Sequence, residues 1–275
     1  MDLLSDYDVG NQTDDTLNVT GGIIICWFIS VVTVFGNSLV ILAFITEKSL
    51  RSNPANLFIL NLSVADLLIG AFAFPLSILL LMFGYWPFGE GVCKMWLIIN
   101  HTACGVSVCG IIFISLDRYW MLKMKLKYRQ FQTTKRVTVM IIVSWVFILP
   151  LNIILISFWE KFSGEHVIDY SINCVTGYFN NLANVSVQTI SSTGRHRKAA
   201  VTLTILVFVF AVCWTPFNIV LIWSIVSEDL TDDTVWHIVI YLLWSNSAIN
   251  PFLYALTNVK IREVFYKFFC LKCFK

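Results

Sequence analysis

Long apolar runs broken by short polar connections set the pattern of this chain. Residues 23–45, 95–116, 137–158, 199–226 and 235–256 contain no Asp, Glu, Lys or Arg, and residues 57–82 contain one, Asp66. A helix needs about 20 mostly apolar residues to cross a bilayer. Each of these runs reaches that length, whereas a membrane strand would be shorter and would alternate in polarity. The pattern predicts an all-α integral membrane helical bundle with six clear crossings.

The connections give the bundle an orientation. Residues 1–22 hold five Asp and no basic residue, and the 227–234 connection holds Glu228, Asp229, Asp232 and Asp233. Residues 117–136 hold seven Lys or Arg, 195–198 hold three, and 257–275 hold five. Cytoplasmic segments carry the basic excess, so the amino terminus is expected outside and the carboxyl terminus inside. Residues 1–22 then form an extracellular tail, 23–258 the transmembrane part, and 259–275 a cytoplasmic helix and tail. Asn11 and Asn18 open glycosylation sequons in that outer tail.

Parity leaves one crossing to find. Four crossings from outside leave the chain outside near Cys174, whereas Arg195-His196-Arg197-Lys198 belongs inside. Ten of the twenty residues in 175–194 are Asn, Gln, Ser or Thr, which lipid solvates badly. Either this stretch is a fifth crossing sheltered by its neighbours, or that helix is absent. The polarity favours absence.

Composition agrees with the membrane reading and excludes others. The chain is 57% apolar and 13% charged, about half the charge of a water-soluble chain. Its four His are scattered without metal-ligand spacing, and no phosphate loop or nucleophile elbow occurs. No enzyme and no nucleic-acid partner is expected.

Five features carry chemistry. Asp66 is an acid within a span, a functional hypothesis by default. Asn37, Ser107, Asn246, Ser247 and Asn250 lie at similar depth, and a carboxylate ringed by oxygens suits sodium. Asp117-Arg118-Tyr119 ends the third run, and Pro216 and Pro251 interrupt two later ones. Cys93 and Cys174 both fall on the oxidising side, where a bridge would pin a loop to the third helix. Residues 260–275 interleave Lys with Phe, which suggests an interfacial helix lying on lipid, with Cys270 and Cys273 as palmitoylation candidates.

Gly36-Asn37, Leu62-Ser63-Val64-Ala65-Asp66, Asp117-Arg118-Tyr119, Trp145, Cys213-Trp214-Thr215-Pro216 and Asn250-Pro251-x-x-Tyr254 occur in one order. That set resembles a rhodopsin-like (class A) G protein-coupled receptor. Within the family it resembles amine receptors, particularly the third and fourth histamine subtypes, through residues 36–44, 210–214 and 268–270. The resemblance implies a plasma-membrane receptor that senses an extracellular small molecule, histamine-like among others, and activates a heterotrimeric G protein. It also implies a ligand pocket of Asn100, His101, Cys104, Trp214, Phe217, Asn218, Tyr241 and Trp244. Asp66, Ser107, Asn246, Ser247 and Asn250 would hold a modulatory sodium ion. Asp117, Arg118, Tyr119, Tyr128, Pro216, Pro251 and Tyr254 would form the activation switch, and Cys93–Cys174 the family disulfide.

Three departures bear on function. Asn100 stands where amine receptors place an Asp, and an amide cannot make the charge-assisted bond an ammonium needs. The 195–198 cluster offers Arg118 no acidic partner, which is expected to raise basal activity. The family's fifth helix has no apolar counterpart. The alternative reading is therefore a non-signalling six-helix product, retained in the endoplasmic reticulum or pairing with a full-length receptor as a homo- or hetero-dimer.

Overall fold

The computed structural model describes residues 5–124, 127–163, 174, 197–227 and 233–269, and among these the regular elements are all helical. α1 spans Ser5–Thr46, α2 Lys48–Arg51 and α3 Asn56–Leu68; a π-helical turn, Ile69–Ala73, leads into α4, Phe74–Phe83. α5 runs Gly89–Met124, α6 Tyr128–Phe131, α7 Thr134–Ser163, α8 Arg197–Ser227, α9 Asp233–Thr257 and α10 Val259–Phe269. Six stretches among the described residues are long and apolar enough to cross a membrane: Thr20–Thr46, Asn56–Phe83, Gly89–Met124, Thr134–Phe158, Ile205–Ser224 and Thr234–Thr257. α1 begins well before the apolar run at Ile23, so the backbone of the acidic tail continues that helix from Ser5 onward.

The π turn follows from Pro75. Proline has no N–H to give the carbonyl five residues back in this register, and Ser30 Oγ serves that carbonyl, Gly70 O, at 2.9 Å. Trp96 Nε1 donates to Ala73 O at 3.1 Å from α5. Helices in lipid gain little from hydrophobic exclusion and associate through close packing and hydrogen bonds. A Cβ on Gly36 would meet Pro251 Cγ at 2.9 Å, and one on Gly70 would meet Thr33 Cγ2 at 2.8 Å. Both glycines therefore let α1 approach its neighbours to near backbone contact.

Contacts set the direction of every crossing. Cys93 is disulfide-bonded to Cys174, and both belong to an apolar cluster with Ile29, Trp86, Trp96 and Ile156. This is the disulfide end. A second cluster joins Leu50, Ile114, Val137, Leu206, Tyr254 and Ile261, and this is the basic end. α7 thus starts at the basic end and finishes toward the disulfide end. α8 starts at the basic end, and its Phe217 meets Trp236 of α9 ring to ring at 6.0 Å. Cys174 and the first residue of α8 therefore lie at opposite ends of the bundle. The stretch 175–194, for which absence of a crossing was favoured, lies outside the described residues.

α10 returns across the basic end with Ile261, Val264 and Phe265 buried. Its Phe268 packs edge-on against Phe35 at 5.5 Å, and Lys267 Nζ reaches Glu47 at 3.8 Å. Cys270 and Cys273 lie outside the described residues; Asn11 and Asn18 fall in α1, where only the backbone is described.

Candidate functional site

Between the two apolar clusters runs a belt of buried polar side chains. Asp66 is fully buried. Ser247 Oγ donates to its Oδ1 at 2.8 Å and Asn250 Nδ2 to its Oδ2 at 2.8 Å, so one carboxylate from α3 ties two turns of α9. Ser107 of α5 approaches the same carboxylate, but its Oγ makes no hydrogen bond of standard geometry. Asn246 is buried beside it with Oδ1 unpaired among the described residues. Asn37 donates instead to Thr33 O at 2.9 Å and Ser247 O at 3.1 Å, and so holds the α9 backbone behind the carboxylate. A carboxylate plus two unpaired buried oxygens is a donor set that fits a hard monovalent cation.

Directly beside this belt lies a small cleft of about 50 Å³, lined by Ile69, Phe74, Asn100, Cys104, Ser107, Trp214, Leu243, Trp244, Asn246 and Ser247. Of the pocket residues read from the sequence, Asn100, Cys104, Trp214 and Trp244 meet here. Phe74 stacks on Trp244 with centroids 4.6 Å apart, and Phe210 stacks on Trp214 at 5.1 Å. Cys104 Sγ donates to Asn100 Oδ1 at 3.9 Å. The other four lie outside the lining. The His101 ring engages Leu97 O at 2.8 Å, and Phe217 packs on Trp236. Asn218 is exposed and donates to Trp214 O at 2.7 Å. Tyr241 hydrogen-bonds Cys26 of α1 and stands 6.5 Å from Trp244. Phe74 went unread in the sequence, because nothing in an apolar run marks which phenylalanine turns inward after a π turn.

At the basic end Asp117 is buried to 1% exposure. Tyr128 Oη and Gln132 Nε2 both donate to its Oδ1 at 2.7 Å, while Arg118 Nε stands 3.8 Å from Oδ2. Burial and the hydrogen bond to Asp117 raise the Tyr128 phenol above its ordinary pKa, so it stays a neutral donor at physiological pH. Gln132 was not read from the sequence, since a lone amide in a basic connection carries no periodic signal. Tyr119 is exposed. Tyr254 is fully buried, with its hydroxyl unpaired among the described residues. Pro216 and Pro251 lie inside α8 and α9.

Comparison with known proteins gives one consistent answer. The chain matches the 7 transmembrane receptor (rhodopsin family) over residues 36–194 and 177–254. It is 28% identical to the Histamine H2 receptor of Homo sapiens, covering 88% of this chain and 77% of that one. Its identity to the Histamine H2 receptor of Rattus norvegicus is also 28%, over 93% and 81%. The 5-hydroxytryptamine receptor 1B of Canis lupus familiaris is 26% identical, over 91% and 86%.

Proposed function

The chain belongs to the rhodopsin family of seven-transmembrane receptors, and from that premise we propose that it senses an extracellular small molecule in the Asn100 cleft and activates a heterotrimeric G protein. It is a multi-pass membrane receptor of the amine type, not an enzyme. The observation that supports signalling is the cluster at the basic end. Arg118 is held only loosely: its Nε stands 3.8 Å from Asp117 with no other partner among the described residues, and its Nη1 donates to Met121 Sδ at 3.8 Å, while Asp117 is tied down by Tyr128 and Gln132. A guanidinium so placed is free to turn toward an intracellular partner while its neighbouring acid stays fixed.

In this reading the disulfide end faces the outside of the plasma membrane and the basic end faces the cytoplasm. Ligand in the cleft touches Trp214, two residues before Pro216 in α8, and Trp244, two turns before Pro251 in α9. Movement of either proline-containing helix reaches Tyr254 and the Arg118 end. Asp66, Ser107, Ser247 and Asn246 would hold a sodium ion, with Asn250 bracing the carboxylate. The ion would neutralise the buried charge and tie α3, α5 and α9 together. Asn11 and Asn18 would carry glycans, Cys270 and Cys273 acyl chains, and α10 would lie on lipid.

The test is guanine-nucleotide exchange by purified heterotrimeric G proteins on membranes holding the receptor. The expected result is exchange above receptor-free membranes that disappears in Arg118→Ala. Equal exchange by both proteins would overturn the proposal.

A further inference from the structure

α6 is a single turn, Tyr128–Phe131, and no side chain caps its amino end. One turn does not hold itself together, because its nucleus fixes several dihedrals for one hydrogen bond. Its neighbours must hold it. Tyr128 and Gln132 tie it to Asp117 of α5. Another flank is open, where Tyr128, Arg129 and Gln132 line a cleft of about 680 Å³ with Ser52, Asn53 and Pro54. Among the described residues the other support is Phe131. Its ring meets Trp120 of α5 edge-on at 5.1 Å, and the Arg136 guanidinium of α7 lies 3.6 Å from its centroid. The same guanidinium stands 5.0 Å from the Trp120 ring. Three helices thus meet on one cation.

The charge of Arg136 is directed at these rings. The chain has no acid between Asp117 and Glu160, and among the described residues Arg136 makes no ion pair. A planar guanidinium is suited to stacking on aromatic faces. The Arg136 backbone serves α7 separately, its N–H donating to Thr133 Oγ1 at 3.3 Å, so the side chain can be exchanged without removing that bond.

We propose that Arg136 is a positioning residue for Arg118: it pins α6 by stacking on Phe131 and Trp120, and α6 in turn holds Asp117 in place beside Arg118. When the stack opens, Asp117 loses its anchor and the Arg118 guanidinium turns more readily toward a partner. The inference rests on the receptor reading and adds to it a restraint on basal signalling. Residues 195–198 offer Arg118 no acid, and this stack restrains it from the α6 side instead.

Amide hydrogen exchange of purified receptor in lipid nanodiscs, read by mass spectrometry, follows α6 without a G protein. Arg136→Met keeps the length and removes the charge. It is expected to speed exchange across residues 128–132, where Gln132 N–H bonds Tyr128 O at 2.8 Å, with residues 138–158 unchanged. The expected factor is about two- to fivefold, the size of an exposed cation–π contact. Arg136→Lys keeps a cation over the rings and is expected to restore most of the protection. Trp120→Leu is expected to speed the same stretch, and adding Arg136→Met to it should speed it little further. Unchanged exchange in Arg136→Met, equal speeding throughout α5 and α7, no rescue by lysine, or additive effects overturn the proposal. Nucleotide exchange without agonist then tests the link to Arg118, and a rise in Arg136→Met is expected. An unchanged rate there, in a receptor whose exchange Arg118→Ala removes, overturns the proposal. A receptor with no exchange to remove overturns the signalling reading, and hydrogen exchange alone then supports or overturns the stack.

Discussion

Asp66 and Asp117 are both buried acids in the same bundle, yet they are held in opposite ways. Asp66 is bonded by neutral groups from α9, 181 and 184 residues away in sequence. Asp117 is bonded by Tyr128 and Gln132, 11 and 15 residues away, with Arg118 alongside. The first acid fastens crossings to one another. The second fastens the end of α5 to the connection that follows it. A change at Asp66 therefore acts on the whole bundle, and a change around Asp117 acts on one end.

The largest expected effect tests the second site. Arg118→Ala should abolish nucleotide exchange while leaving surface expression near that of the parent, because Arg118 makes no bond that spans crossings. Loss of expression in parallel would put Arg118 among the structural groups and break the contrast.

Asp66→Ala comes next. It leaves Ser247 and Asn250 without their acceptor, at a cost of about 1–3 kcal/mol for buried groups, read as a lower melting temperature in nanodiscs. Asp66→Asn keeps the shape and should retain more of that stability. It should also erase any rise in melting temperature when sodium replaces N-methylglucamine. A sodium response that survives in Asp66→Asn would remove the ion from the site.

Gly36→Leu sharpens the comparison from the packing side. A branched side chain would collide with Pro251 and should cost about 1–3 kcal/mol by overpacking, again across the whole bundle. Unchanged stability would mean that α1 and α9 can separate without consequence. The smallest effect belongs to Tyr128→Phe. Removing one donor of the two on Asp117 Oδ1 should cost about 1 kcal/mol and raise basal exchange, leaving the sodium response intact.

Different physics governed what could be read without coordinates. The six crossings were legible because lipid demands unbroken apolar length, and the π turn was not, because it depends on how Ser30 and Trp96 serve the carbonyls around Pro75. Asp66 announced itself as an acid among apolar residues. Which polar neighbours bond it was not legible: Ser247 and Asn250 do, whereas Asn246 faces the cleft with its oxygen unpaired. Helix rotation decides that, and it is set by close contacts such as Gly36 on Pro251. Among the described residues, α7 and α8 are the least buried crossings. They bury 17% and 11% of their apolar stretches against 50% for α1, and a run facing lipid reads the same in sequence as one facing protein.

The central claim is that the end bearing Arg118 and α10 faces the cytoplasm, where a G protein can reach it, while residues 1–22 face outside. A tag on the carboxyl terminus, probed by antibody in intact and permeabilised cells with a second tag on the amino terminus, tests it most directly. The account predicts an amino-terminal tag stained in intact cells and a carboxyl-terminal tag stained only after permeabilisation. A carboxyl-terminal tag stained in intact cells would place both termini on one side, and the coupling proposed for Arg118 could not occur.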